Sequence, residues 1–401
     1  MTEDSACAGS NPAPLRSIIE PELAALASLG SLHAGQLGRA GAFELAGADS
    51  AHSRLERPAR VLKTIAATLP AIERVLQASR IALAPPPHVE QHAHSIFHEP
   101  WWLDIATQGQ WDIARVQRAN ETIGEMPYPI MRRGVWRVSQ MPPLTRTLGP
   151  MIQASGATPA QAFMNRLDVM TEIVEQIPRF DSFYQIFDPR VDDALAFGLK
   201  GYTVSTRYTF QFGLDRSVAE VWKGLRGKTR NLIRAAQKIV TLALIDSPAE
   251  FNRFYETNLA SRSRTNAYGS AIMQQLVSGS LERGTGYLLG AYGADGKLVA
   301  AIGVVWDRHA AYYLLSSRLP TAHSGSISLL IWAAIQDAIE RKLTFDFDGI
   351  PNAAALRFIS GFNPTLKPRL AVERASTICA IARSLKRGIT PKTSTGFMPT
   401  I

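Results

Sequence analysis

Cysteine is nearly absent from this 401-residue chain, with Cys7 and Cys379 the only two. They lie far apart and form no motif with histidine, which argues against a disulfide framework or a zinc site. Long apolar runs are missing as well. The clearest one, Leu298 to Trp306, falls far short of the roughly 20 residues that a membrane-spanning helix needs. No transmembrane segment is therefore expected. The opening residues, Met-Thr-Glu-Asp-Ser-Ala-Cys, lack the basic stretch and apolar core of a secretory signal. Together these absences place the protein in the cytoplasm. Acidic residues are also short: 34 Asp and Glu face 43 Lys and Arg, a net charge of +9. Such a balance favours anionic partners, whether nucleotides, nucleic acid, anionic lipid or a phosphorylated substrate. The deficit is sharpest from Lys223 to Ile245, where no acidic residue occurs.

What is present fills cores. With 46% hydrophobic residues, the chain has material for two or three domains. Residues 1–90 are rich in Ala, Leu and Gly, hold almost no aromatics, and end in Pro85-Pro-Pro87. Leu62, Ile65, Leu69, Ile72 and Leu76 share one helical stripe, so this part reads as a helical or partly disordered extension. Aromatics and short strand patterns begin at Phe97. His92, His94 and His98 lie close in sequence, but without an acidic or Cys partner at ligand spacing no metal is expected.

Thr158-Pro-Ala-Gln161 carries a capping box with Pro at the first helical position. It opens a helix whose stripe is Phe163, Leu167, Met170, Val174 and Ile177. A strand at 182–187, a short helix near 191–199 and a strand-like run at 202–212 follow. The spacing predicts one long helix from Ser217 to Ile239, with Val218, Val221, Trp222, Leu225, Ile233, Ala236 and Ile239 inward. Lys223, Arg226, Lys228, Arg230, Arg234 and Lys238 occupy its other positions. This basic face either meets an anionic partner or is simply solvated. Ser247-Pro-Ala-Glu250 opens another helix, an Arg-rich loop (Arg262, Arg264) follows, and a further helix spans 270–282. A three-strand meander at 286–316 comes next, turning at Asp295-Gly296 and at Asp307 to His309. A helix striped with Ile327, Leu330, Ile331, Ala334, Ile335, Ala338 and Ile339 leads into Leu343-Thr-Phe-Asp-Phe-Asp-Gly349. In that strand Phe345 and Phe347 share one face and Thr344, Asp346 and Asp348 the other. Two readings are open for the carboxylates: lining a cleft at the strand exit, or serving as a structural acid and a turn residue. A last strand is expected at 369–374, and 381–401 reads as a flexible tail.

The order of two helices, an antiparallel meander, a helix, a strand, a short helix and a final strand resembles the GNAT acyltransferase fold. Residues 205–375 are similar to the second half of its Fem-type (FemAB-like) branch. The matching pieces are Tyr208-Thr-Phe210, Lys228 to Ala235, Ala300 to Trp306, Tyr312-Tyr313, Phe345 to Gly349 and Phe358 to Phe362. Residues 97–212 look like the divergent first half, including Pro142-Pro143 and Leu148-Gly149-Pro150. The resemblance implies an α/β (α+β) fold. It has tandem GNAT-like domains at 91–212 and 213–380, each with a mixed, mostly antiparallel sheet flanked by helices.

It further implies acyl transfer to an amine of a small-molecule, sugar or cell-envelope precursor. The donor would be an acyl-CoA, or alternatively an aminoacyl-tRNA; a decayed, non-catalytic core is the third possibility. No tightly held cofactor is implied. Asp348, then Asp346, would accept the amine proton, and Tyr313 or Ser316 would protonate the leaving group. Backbone N–H groups near Leu315 and Ser316 would hold the oxyanion. The turn Thr321 to Ser326, with Ser324, Gly325 and Ser326, would cradle a CoA pyrophosphate, although Ile327 stands where a second Gly or Ala is usual. Lys228, Arg230, Arg234 and Phe358 would face substrate, and Ile359 replaces the Lys usual in aminoacyl-transferring relatives.

Overall fold

The computed structural model describes residues 93–153, 156–349 and 352–381. The expectations for residues 1–90, His92 and the tail beyond 381 lie outside these. The first half begins with α1 (Pro100–Thr107) and the antiparallel pair β1 (Trp111–Arg118) and β2 (Glu121–Pro129). It continues through β3 (Met131–Arg133), β4 (Trp136–Ser139), β5 (Met151–Ile152), α2 (Pro159–Gln176), β6 (Ser182–Ile186), α3 (Leu195–Leu199) and β7 (Thr203–Phe212). The second half runs α4 (Val218–Gly224), α5 (Gly227–Gln237), β8 (Thr241–Leu244), α6 (Pro248–Ala260), α7 (Ser270–Glu282), β9 (Gly286–Tyr292), β10 (Leu298–Trp306) and β11 (Ala310–Arg318). It ends with α8 (Ser326–Glu340), β12 (Thr344–Asp346), α9 (Ala353–Ile359) and β13 (Thr365–Ala375).

The fold is mixed α/β, as expected, but the halves do not own separate sheets. One ten-stranded sheet runs β3-β4-β6-β13-β7-β12-β11-β10-β9-β8, and β1-β2-β5 form a second, small sheet. Among the described residues, only β4/β6 and β11/β12 pair in parallel. The last strand, β13, lies between β6 and β7 of the first half, and β7 lies between β13 and β12. The boundary drawn at 212/213 thus cuts through a continuous sheet. The core crosses it too: Ile96, Phe97, Trp102 and Leu144 share a buried cluster with Phe251, Met273, Leu276 and Tyr312.

β13 is longer than the expected 369–374. Pro368, which lies inside it, pairs only with Tyr208 of β7, because β6 joins from Ala371 onward. Its missing N–H therefore falls where the second neighbour has not yet arrived. The single helix expected over 217–239 is two. Leu225 (ψ 144°) and Arg226 (ψ 142°) are extended between them, flanked by Gly224 and Gly227, the poorest helix formers after proline. Trp222 is only half-buried and Ile239 is half-exposed, as is Phe163 to a lesser degree on α2.

Helix α8 is buried on nearly every side, between the sheet and α5. The contact with α5 is so close at Gly325 that a Cβ there would stand 2.2 Å from the Leu232 carbonyl oxygen. Only glycine allows that approach. Gly325→Ala is therefore expected to lower stability by about 2 kcal/mol, the usual scale of overpacking against backbone, in chemical denaturation. A change below a few tenths would show that α5 and α8 are free to separate.

Candidate active site

Strands β11 and β12 run side by side only through Ala310, Ala311 and Tyr312. Beyond Tyr312 they part, and β11 continues to Arg318 with only β10 beside it. Its register against β10 slips at one point: Gly303 faces Leu315, while Val304 faces Tyr313. Leu314 is the extra residue of a β-bulge, so Leu314 and Leu315 both enter the same buried cluster. The amides of β11 that point toward the departing β12 have no ladder partner there. The second half of β11 and residues 347–349 therefore diverge, and the gap between them is bridged by Arg146.

Asp346 and Asp348 form the β12 wall, and both are buried. Asp346 accepts from Thr209 Oγ1 at 2.5 Å and Gln211 Nε2 at 2.7 Å, both on β7. It also accepts from the Asp348 amide at 2.6 Å, which draws Asp348 into the left-handed region at φ 62°. Thr209 Oγ1 accepts in turn from the Gly349 amide at 3.1 Å. Asp346 is thereby the acid that builds the turn. Burial raises its pKa against the pull of Arg369, Thr209 and Gln211.

Asp348 is held differently. Its Oδ2 pairs with Arg146 Nε, and Arg369 Nη1 stands 3.9 Å from Oδ1. Oδ1 accepts no hydrogen bond among the described residues. Burial pushes the carboxyl up to about 7, with Asp346 adding to the push and Arg146 and Arg369 opposing it. A carboxyl of this kind changes charge near neutral pH.

Arg146, absent from the sequence-based candidates, crosses this gap. Its Nη2 donates to the Leu314 carbonyl of the bulge at 2.8 Å, and its guanidinium lies 5.6 Å from the Tyr268 ring. A buried loop delivers it. Leu144 and Leu148 are buried, Trp102 Nε1 donates to Thr145 Oγ1 at 3.0 Å, and Leu148 N donates to Ile186 O at 2.8 Å. The flanking Pro142-Pro143 and Gly149-Pro150 were legible signals, whereas the ion pair between Arg146 and Asp348, two hundred residues on, was not. Arg369 was likewise missed: it reads as one more cation in a strand.

On the β11 wall, Tyr313 is half-buried and Ser316 exposed. Burial pushes the Tyr313 hydroxyl up to about 12, with a hydrogen bond to Ser316 opposing. Burial also pushes Tyr255 of α6 up to about 12, helped by Tyr268 and opposed by Arg146. Leu315 is buried on the bulge.

At the α8 turn, Ser324 is exposed while Gly325 and Ser326 are buried. The turn is occupied by its own bonds: Gly325 N donates to His323 Nδ1 at 3.1 Å and Ser326 N to His323 O at 3.0 Å.

The basic residues lie elsewhere. Lys228 and Arg234 are exposed on α5, Arg234 lying over the Trp222 ring at 5.5 Å. Arg230 Nη1 donates to the carbonyls of Lys223 at 2.9 Å and Leu225, capping the end of α4; its guanidinium holds the helix break. Phe358 is exposed on α9, edge-on to Phe362 at 5.6 Å. None of these touches Asp348. His98 is buried and bonded to Ser95 Oγ at 2.9 Å, and burial lowers its pKa to about 3. It serves its own turn.

Three comparisons bear on this geometry. The family model of an acetyltransferase (GNAT) domain matches residues 220–354. No curated protein matches. Among solved structures, FemX is 12% identical with a TM-score of 0.54, over 79% of this chain and 98% of that one. The C-terminal domain of a putative lysylphosphatidylglycerol synthetase from Agrobacterium fabrum is 14% identical, over 74% and 94% of the two chains, with a TM-score of 0.48. A tandem GNAT protein from the clavulanic acid biosynthesis pathway is 10% identical, over 76% and 94%, with a TM-score of 0.40. Residues 220–354 thus match the model of an acetyltransferase (GNAT) domain, and the chain around them shares the fold of FemX.

Proposed function

We propose that the chain is an N-acyltransferase that moves an acyl group from an acyl-CoA thioester to an amine. The observation that carries this reading is a buried carboxyl, Asp348, poised near neutrality where β11 and β12 part. An alkylammonium has a pKa of about 10 and must lose a proton to attack. A base titrating close to the working pH is best suited to take it. The amine nitrogen attacks the thioester carbonyl while its proton passes to Asp348. The oxyanion is met by free amides of β11 near Leu315 and Ser316. When the C–S bond breaks, the thiolate takes a proton from Tyr313, whose high pKa keeps it protonated, or through Ser316. Asp346 positions the turn that presents Asp348.

An aminoacyl-tRNA donor is the second reading, and one observation favours it. Lys223, Arg226, Lys228, Arg234 and Lys238 are all exposed along α4 and α5. Among the described residues none of them pairs with a carboxylate. Such a face suits a phosphate backbone, and tRNA held there would dissociate steeply with salt. No helix among the described residues is long and apolar enough to cross a membrane.

The test is a donor-by-acceptor screen of the purified chain, reading thiol release and amide formation by mass spectrometry. Acyl-CoA turnover is expected. If neither CoA thioesters nor charged tRNAs react with any amine, the reading fails.

Asp348→Asn should cut turnover by about 100-fold or more, the usual worth of a positioned base, and abolish a rising pH limb centred near 7. Full activity in that variant would remove Asp348 from the chemistry. Carbon-13 titration of labelled Asp carboxyls offers a check without substrate. One resonance, missing in Asp348→Asn, should titrate at about 7 while the bulk do so near 4. Arg146→Met removes a cation that holds the carboxyl down, so the Asp348 midpoint and the pH limb should both move upward by about one unit or more. A downward move would contradict the ion pair.

A further inference from the structure

Strands β7 and β13 set Arg207 and Arg369 directly opposite each other on one rung of their ladder. Side chains two residues apart share a face of a strand. Both arginines therefore lie on the face that carries Thr209, the residue bonded to Asp346. Two cations directly opposite in an antiparallel pair repel each other, and neither is discharged by a close carboxylate. Arg207 forms no ion pair among the described residues; its Nε donates to Tyr184 Oη at 3.3 Å. Arg369 meets one carboxylate oxygen, Asp348 Oδ1, at 3.9 Å, beyond hydrogen-bond range. The close partner of Asp348 is Arg146. Glu373, further along the same face of β13 and opposite Tyr184, is four residues from Arg369, about 13 Å at the rise of a strand.

A second observation concerns the donors of Arg369. Its side chain is only 4% exposed, and a guanidinium carries five N–H donors. Among the described residues it donates no hydrogen bond. Its Nε is sealed from solvent, whereas the amino groups at its tip are not. Arg207 beside it is half-buried, so the pair can be reached from that side. A buried cation without hydrogen bonds is costly. An anion brought by a ligand would relieve that cost at both arginines together.

We propose that Arg207 and Arg369 bind the carboxylate of the amine acceptor, which makes the acceptor an amino acid. Guanidinium forks match the two oxygens of a carboxylate in geometry as well as charge. The short span from Arg369 Nη1 to Asp348 sets the spacing: an amine at Asp348 and a carboxylate at the Arg369 tip stand one or two carbons apart. The product is then an N-acyl amino acid. The inference rests on the acyl-transfer reading for the amine at Asp348; the carboxylate site stands without it. A bound carboxylate also adds negative charge beside Asp348, which disfavours its ionised form and strengthens it as a base.

Calorimetric titration of the purified chain with N-acetylglycine, a product-like probe without a nucleophilic amine, tests the site with no donor present. Its uncharged counterpart, N-acetylglycinamide, is the control. The wild-type chain should bind the acid at least tenfold more tightly than the amide and gain thermal stability from it. Arg207→Gln should keep its fold by circular dichroism and lose that preference, and Arg207→Lys, which retains the charge without the fork, should restore part of it. In carbon-13 titration, N-acetylglycine should move the Asp348 midpoint upward in the wild type and leave it in place in Arg207→Gln, a difference that a merely structural arginine would not produce. No binding of N-acetylglycine by the wild type, equal binding of acid and amide, or a preference that survives Arg207→Gln would overturn the proposal. In turnover, amino acids should exceed their amides as acceptors by at least tenfold in kcat/KM. Amines without a carboxylate reacting as well as amino acids would overturn the carboxylate site and leave acyl transfer standing. Acid-selective binding that depends on Arg207, found while no donor reacts with any amine, would instead overturn the acyl-transfer reading and leave the carboxylate site standing.

Discussion

The insertion of β13 between β6 and β7 is the constraint on which the rest of the structure depends. A strand added at the end of the chain satisfies backbone groups on two strands made much earlier, and unpaired buried ladders are not tolerated. It therefore joins the halves into one sheet, and it carries Arg369 into the buried charge cluster. β7, held between β13 and β12, brings Thr209 and Gln211 to Asp346. The site is built at this seam.

That cluster balances the buried Asp346 and Asp348 against the buried Arg369 and the half-buried Arg146. Removing such charges from water is expensive, and the balance is repaid only when partners are close. The two acids are repaid unequally. Asp346 receives three hydrogen bonds and is fixed in a structural role, while Asp348 has a carboxyl oxygen left over. Burial without full compensation is what keeps its proton within reach of neutral pH. The β-bulge at Leu314 completes the arrangement, because it gives Arg146 a carbonyl to hold across the gap.

Much of the element order was legible. Capping boxes placed α2 and α6, alternation placed the meander, and the stripe of α8 was plain. The errors have physical causes. Two glycines broke one expected helix, and Arg230, whose spacing suggested a partner outside the protein, caps the break. β13 starts at Thr365, before the expected 369, and accommodates Pro368 because only β7 flanks it there; a sequence does not reveal where a second neighbour begins. Within the site, Asp346 and Asp348 could be picked out by alternation. Arg146, Arg207 and Arg369 could not, because each is an ordinary cation until the fold surrounds it.

The sequence by itself determined the local architecture: period-two strands, period-3.6 helices, and the placement of two carboxylates at a strand exit beside a glycine. These follow from covalent geometry and side-chain pattern within a few residues. Tertiary structure alone decided that the two halves share a sheet, that Asp346 supports while Asp348 is poised, and that Arg207 and Arg369 share one rung beside them. Those outcomes depend on burial and on charges meeting across long stretches of chain. A carboxyl acquires its pKa from its surroundings, and the surroundings exist only once the chain has folded.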